Sequence, residues 1–324
     1  MNPVLPDDAL EFGATARKAF TALGGVDAAR AAEEDPSRRS GEIASTLAAL
    51  GLDEIDPRDD TDMLAAAAAL CEESGRVVLA YPVAGALLTR DGMPFAAVPD
   101  DRARVDHGDV FDRWTVATSD GTTHTANRVP LVSPGDTSRP QFGRLGPFVR
   151  DLEVDASTAA GLSHESGIDV RYWLTLTSWL ILGATDRAVE LAVDHVNTRI
   201  QFGKPIATFQ AVQFMLADAA VAVAGLRELA LFTTWRLATD PIEAASDVLA
   251  LRLHAVDVAR ATLRTCQQLH GASGVCDEYD ISVITRHIQP ALRLPYGAER
   301  TAAEMNNAVQ SLGFAGLFPH GAHQ

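Results

Sequence analysis

Residues 173–203, WLTLTSWLILGATDRAVELAVDHVNTRIQFG, place apolar side chains at three- and four-residue intervals over about eight turns. No strand runs that long, so the spacing predicts a helix that stops at Gly203. Two more such stretches follow. Residues 209–238, FQAVQFMLADAAVAVAGLRELALFTTWRLA, are apolar around much of the circumference, which predicts burial on most sides. Residues 242–271, IEAASDVLALRLHAVDVARATLRTCQQLHG, predict a third long helix with Gly271 as its stop. Shorter helices are expected over 279–290 and 297–312. Long helices joined by short turns imply an antiparallel four-helix bundle over residues 163–324. No motif repeats every 20–50 residues, so a solenoid is excluded.

Upstream the texture differs twice. Residues 1–90 are rich in alanine and leucine at helical spacing, in 9–25, 41–51 and 61–88. Gly24, Gly25 and Gly51 read as helix stops, and Asp62 as the cap before the alanine run. Residues 91–162 break into short β-branched and aromatic runs cut by Asp-Gly, Pro-Gly and Pro-Asp pairs. Such runs read as short antiparallel strands, with Ser119-Asp120-Gly121 as a hairpin turn. The expected fold class is mainly α with a small β module: an N-terminal helical domain, a reduced middle β domain and a C-terminal bundle. At 324 residues the chain exceeds what one core usually serves, which predicts two or three subdomains.

The 43 acidic and 27 basic residues give a net charge of −16. That field repels phosphate backbones and anionic lipid, so neither nucleic acid nor a membrane surface is expected as a partner. No stretch reaches ~18 uninterrupted apolar residues, and the first residues lack a basic stretch followed by an apolar one. These features predict a cytoplasmic protein. Cys71, Cys266 and Cys276 have neither disulfide-framework nor zinc spacing. Glycine-rich nucleotide loops, His-Glu-x-x-His and Gly-x-Ser-x-Gly are absent, and the nine histidines are scattered. His270 and His287 therefore read as structural or solvated.

Two segments stand out. One is Arg199-Ile200-Gln201-Phe202-Gly203-Lys204-Pro205, followed by Phe209-Gln210-Ala211-Val212-Gln213; the other is Gln268-Leu269-His270-Gly271-Ala272-Ser273-Gly274. The first joins a guanidinium, which binds phosphate through parallel hydrogen bonds, to an aromatic face that stacks on a base. The second sets an amide beside small residues that let backbone approach a ligand. A plainer reading gives Arg199 to the helix dipole, and makes Gly203 and Gly271 C-caps.

The order Arg-x-x-Phe-Gly-Lys-Pro-Ile, Phe-Gln-x-x-Gln and, about 55 residues on, Gln-Leu-His-Gly-x-x-Gly resembles the C-terminal domain of acyl-CoA dehydrogenases. The likeness is strong from about 172 to 312 and extends weakly to the whole chain. It implies FAD at a subunit interface. Arg199, Phe202, Gln210, Gln268 and Gly271 would hold the adenine and diphosphate end of a flavin seated in the neighbouring subunit. Ala272 stands where a second glycine is usual, and a backbone contact survives its methyl.

Enzymes of that family remove an α-proton with a glutamate just before a Gly-Thr pair. Here Tyr296 occupies that place and Ala298 replaces the threonine, while a phenol near pKa ~10 accepts protons poorly. Glu299 is a weak candidate, displaced by three positions. The alternative base position, within 172–185, holds no Asp or Glu before position 186. The β module lacks a Thr-Glu-Pro-type flavin contact; Trp114 and Thr115 imitate one, although a lone Trp is more often core. No catalytic residue is therefore assigned to this chain. The resemblance implies one subunit of an α2β2 acyl-CoA dehydrogenase acting on a CoA thioester, such as those of actinobacterial steroid breakdown. A second acyl-CoA dehydrogenase-like subunit carries the base, and a separate acceptor takes the electrons. Two other readings stay open: a complete homomeric flavoenzyme with an unusual base, and a non-catalytic scaffold of the same fold.

Overall fold

The computed structural model describes residues 4–99, 103–118, 122–129, 145–160 and 164–312. Five helices come first: α1 (Asp7–Ala22), α2 (Val26–Glu34), α3 (Ala44–Ala49), α4 (Thr61–Arg76) and α5 (Val83–Ala86). Strands follow: β1 (Phe95–Ala97), β2 (Arg104–Asp106), β3 (Arg113–Ala117), β4 (Thr123–Arg128) and β5 (Val149–Ala160). Next come α6 (His164–Thr198), the short strands β6 (Ile200–Gln201) and β7 (Lys204–Pro205), then α7 (Gln210–Thr239) and α8 (Ala245–His270). The helices α9 (Asp280–His287), α10 (Gln289–Arg293) and α11 (Ala298–Leu312) complete the described residues. No helix among the described residues is long and apolar enough to cross a membrane.

Several local expectations change. The cap of α4 is Asp60, whose Oδ1 accepts from Met63 N at 2.8 Å, and not Asp62. The sheet order is β1-β3-β4-β5-β2, and β1 pairs with β3 in parallel. The remaining pairs of this sheet are antiparallel, as expected. The predicted Ser119–Gly121 turn lies outside the described residues. The helix expected over 279–290 is divided into α9 and α10.

Helix α7 departs most. Its buried stripe is Ala219, Val223, Leu226, Ala230, Thr233, Thr234 and Leu237. Phe214 and Val221 are 60% and 72% exposed, and Trp235 is also exposed. The apolar circumference was read as burial on most sides, but α7 stands at the bundle edge and packs chiefly on α6 and α8. Composition reports how apolar a helix is, and position decides how much of it the chain covers.

The core also differs in arrangement. Helices from both ends of the chain share one apolar cluster, from Ala16 and Phe20 through Leu64 and Leu70 to Leu176, Leu251 and Ile284. The sheet has its own smaller cluster around Trp114, Val116 and Ala126. The two helical regions merge because α4 and α6 cross glycine to glycine. A Cβ on Gly75 would lie 1.9 Å from Leu180 O, and one on Gly183 would lie 1.9 Å from Glu72 O. Ion pairs flank the crossing: Arg76 meets Asp186 at 2.6 Å and Glu190 at 2.5 Å, and Arg227 meets Glu72 at 2.6 Å.

Because backbone lies on the far side of both contacts, Gly183→Ala is expected to cost about 3 kcal/mol, at the upper end for overpacking. Gly225 sits in α7 with nothing within 4 Å of an added Cβ. Gly225→Ala is expected to gain about 0.5–1 kcal/mol from helix propensity. Urea unfolding followed by circular dichroism distinguishes the two.

Candidate functional site

The first motif leaves the helix earlier than the sequence suggests. Helix α6 ends at Thr198, five residues before Gly203. Strands β6 and β7 then form a hairpin, with Ile200 opposite Pro205 and Gln201 opposite Lys204. Its two turn residues, Phe202 at φ 52° and Gly203 at φ 81°, are both left-handed, as a two-residue type I′ turn requires. Gly203 is thus a turn residue and not a C-cap. The turn thrusts the Phe202 ring outward, 91% exposed, with its edge toward Phe209 at 6.1 Å between centroids. The Lys204 ammonium lies 4.6 Å from the Phe209 ring centroid.

Arg199 is the first residue beyond α6. Its amide donates to His195 O at 2.8 Å and its carbonyl accepts from Ile206 N at 2.9 Å. The backbone is therefore fixed while the side chain is exposed, and no ion pair to it is found among the described residues. Gln210, also exposed, opens α7 at the same end of the bundle.

The second motif closes α8. Gly271 takes φ 60°, and nothing lies within 4 Å of where its Cβ would stand. Gln268, Gly271 and Ala272 are all exposed. Behind them Gly274 packs so closely on Gln267 backbone that a Cβ would meet Gln267 O at 2.5 Å. Gln267 Nε2 donates to Gly274 O at 3.1 Å, which holds the turn in place.

The two motifs meet. His195 of α6 and His270 of α8 stack with centroids 4.4 Å apart at 27°, so the C-terminal ends of both helices share one end of the bundle. His270 Nδ1 lies 2.7 Å from Cys266 O. Burial holds the His195 imidazole below its ordinary pKa, with His270 and Arg199 adding to the effect. The result is a guanidinium, an aromatic ring, two amides and an open left-handed turn on one surface. Such a surface suits an anionic ligand joined to a flat aromatic group. For FAD, the donor set fits the diphosphate and adenine end.

The position of the usual base is different. Tyr296 is half-buried, with the Arg300 guanidinium 5.3 Å from its ring centroid, and Glu299 is exposed in the first turn of α11. Below this loop Arg252 is fully buried and donates through Nη2 to Leu294 O at 2.8 Å. Burial pulls its pKa down to about 10. Trp114 is fully buried, with Nε1 donating to Gly108 O at 3.3 Å, so it is core. No group of three or more His, Cys, Asp or Glu positioned for a metal occurs among the described residues. Sequence reasoning missed His195 as a partner of His270; the two are 75 positions apart, and no spacing rule joins them.

The model for the family described as "Acyl-CoA dehydrogenase, C-terminal domain" matches residues 175–315. The chain is 30% identical over 197 residues to acyl-CoA dehydrogenase FadE27 of Mycobacterium tuberculosis, covering 56% of this chain and 52% of that protein. It thus spans about half the length of FadE27. Among solved structures it superposes on a chain of the Mycobacterium tuberculosis ChsE4–ChsE5 complex with TM-score 0.72 at 18% identity, covering 96% of this chain and 99% of that one. A chain of the Tcur3481–Tcur3483 steroid ACAD gives TM-score 0.76 at 21% identity, covering 95% and 99%. These likenesses establish the fold over about 95% of the chain.

An imidazole held below its ordinary pKa favours the folded state while neutral. Its contribution is held above the unfolded value near ~6.5 and lost as pH falls below it. The urea midpoint is therefore expected to drop between pH 7 and pH 5, and His195→Phe to make that drop smaller. Parallel urea titrations of both proteins at the two pH values measure it.

Proposed function

Because residues 175–315 match the acyl-CoA dehydrogenase C-terminal domain and the fold is that of the family's solved structures, we propose that the chain is one subunit of a heteromeric FAD-dependent acyl-CoA dehydrogenase. In this reading it lends the adenine and diphosphate half of a flavin site to a partner subunit of the same fold, and the partner supplies the carboxylate base. The reaction is α,β-desaturation of a CoA thioester, for which bound FAD supplies the hydride acceptor. A protein acceptor then takes the electrons.

The roles of this chain's own residues follow from their chemistry. Arg199 pairs with the diphosphate through parallel N–H donors, and Phe202 offers its exposed face to the adenine. Gln210 and Gln268 orient polar edges with their amides. Gly271 and Ala272 let backbone N–H groups approach the phosphates. No Asp or Glu side chain of this chain stands at either usual base position, so proton abstraction falls to the partner.

One observation carries this proposal: two motifs far apart in sequence come together, exposed, at one end of the bundle while both base positions are vacant of carboxylate. The uncovered apolar face of α7 supports assembly with another subunit, since Phe214, Val221 and Trp235 gain stability when removed from water. The paired names of the ChsE4–ChsE5 complex and the Tcur3481–Tcur3483 steroid ACAD favour a two-gene assembly, which we take as α2β2 with two flavins. The second name favours a steroid-derived thioester.

Co-expression with an acyl-CoA dehydrogenase-like partner that carries the glutamate base is expected to yield about half a flavin per chain by absorbance, with none in this chain alone. Arg199→Ala in that complex is expected to weaken flavin retention by roughly tenfold or more, the worth of a hydrogen bond to a charged group. Full flavin occupancy in the lone chain would overturn the reading and return the base to this sequence.

A further inference from the structure

Between the sheet and the helices lies a cavity of about 80 Å³. A single water needs ~10–15 Å³ by the same kind of measure, so several waters or one small organic molecule fit. Three aromatic walls, Trp114, Phe148 and Trp173, come from the sheet, the segment before β5 and α6. They make the space largely apolar, and apolar cavities favour organic ligands over water.

One polar corner interrupts these walls. His107 is buried, and its Nδ1 has no hydrogen-bond partner. Its Nε2 lies 3.6 Å from Asp106 Oδ2, beyond hydrogen-bond reach. Burial, reinforced by Arg39, drives the imidazole well below its ordinary pKa, so the ring is neutral. Burial also pushes the Asp106 carboxyl up to about 7, against the hydrogen bond its Oδ1 accepts from His107 N at 3.1 Å and the weaker pull of Arg39 and Arg150. Asp106 lines the cavity and keeps 29% of its side chain accessible.

Neighbouring charges are already committed elsewhere. Arg39 binds Asp109 through two hydrogen bonds of 2.7 and 2.8 Å, and Arg150 reaches Asp109 at 3.2 Å. His287 Nε2 lies 2.6 Å from Glu33 Oε1, and Arg104 Nε donates to Asp151 at 3.1 Å. The unfilled hydrogen-bonding capacity of the corner belongs to Asp106 and His107.

Backbone strain converges on the same place. Val78 at φ 44° and His107 at φ 55° both line the cavity and both hold left-handed conformations that side chains disfavour. For a β-branched valine this is a true outlier. Strain of this kind persists where surrounding structure over-determines it, and it gathers at ligand sites.

We propose that this cavity binds a small, uncharged, mainly apolar molecule bearing one hydroxyl, of the phenol or cyclic-alcohol class. The ring lies among Trp114, Phe148 and Trp173, and the hydroxyl meets His107 Nδ1 and the Asp106 carboxyl. A hydroxyl both donates and accepts, so it satisfies either tautomer of His107 and either state of Asp106. The nearby guanidiniums of Arg39, Arg150 and Arg104 are already paired with Asp109 and Asp151, which leaves an anion without a counter-charge here. The site is separate from the flavin half-site: Thr177 on its wall and Arg199 are 22 residues apart, roughly 33 Å along α6. It adjoins the loop carrying Tyr296, through Leu294. The hydroxyl group therefore has two possible sources, a free ligand or the far end of a thioester acyl group.

Calorimetric titration of the full chain with phenol, toluene and benzoate tests the site. Saturable one-to-one binding of phenol is expected, with toluene about tenfold weaker for want of the hydroxyl and benzoate not bound. In His107→Phe, phenol and toluene are expected to bind alike. Displacement of phenol by 4-hydroxyphenylacetyl-CoA assigns the group to a thioester; failure to displace assigns it to a free ligand. No saturable phenol binding would mean that the cavity holds water alone, and that sinks the proposal. So does equal binding of phenol and toluene to the unaltered chain, a comparison that does not depend on the variant folding. Neither result bears on flavin retention at Arg199.

Discussion

The contact on which the rest depends is the crossing of α4 and α6 through Gly75 and Gly183. Without Cβ atoms at these two places, each backbone sits where the other helix's side chain would be. That closeness lets Leu64, Leu70, Leu176 and Leu182 enter one core and makes the N-terminal helices part of the bundle. It also fixes the ion pairs around it. Arg76, 9% exposed, is held by two carboxylates of α6, and Glu72 of α4 reaches Arg227 of α7. These pairs are partly buried, so breaking one leaves an uncompensated charge and costs more than a surface pair would. Three helices are thus locked in register by two missing methyl groups and a set of charges that tolerates little sliding.

Locking α6 against α4 orients its far end. From the crossing at Gly183, α6 continues four turns to Thr198. There it meets α8 through the His195–His270 stack, and the hairpin projects Phe202 into solvent. A rigid platform carrying exposed, uncommitted binding groups makes sense when the ligand arrives on another surface. The same logic covers α7, whose outward face keeps Phe214 and Val221 in water while its inward stripe is packed.

Much of this was legible in the sequence because it is local. The periodicities of 173–203, 209–238 and 242–271 mark the long helices, and Gly271 marks a helix end that its φ of 60° confirms. The end of α6 was misplaced because Arg199–Gly203 keep apolar spacing while turning into a hairpin; the signal was Phe-Gly before Lys-Pro, a turn pair that periodicity masks. The parallel pairing of β1 with β3 was unreadable, since each strand is short and pairing partners are set by tertiary contact. The α7 face was misread because hydropathy cannot say which neighbour is missing. For the flavin half-site, residue identities were legible through the family resemblance, but the meeting of the two motifs needed the fold. Asp106 and His107 carried no motif at all. Their character arises from burial beside Phe148 and His287, which lie about 40 and 180 residues away in sequence.

The features that break local rules fall into two kinds, and their depth separates them. Phe202, Phe214, Val221 and the free Arg199 side chain violate expectation at an open surface, where anything large enough to cover them can reach. Val78 and His107 violate it inside the protein, where backbone strain and an unpartnered imidazole nitrogen border a cavity between the sheet and the helices. A protein subunit satisfies the first kind by burying apolar area, which it does without entering the chain. It does not fill the second, because the cavity lies between the sheet and the helices and is lined largely by buried side chains. A small molecule reverses these abilities: it hides too little area to cover α7, yet it matches a space of about 80 Å³. Natural sequences that abandon local consistency at one place tend to do so for function. Here the two departures differ in scale, so a single partner would leave one of them unanswered.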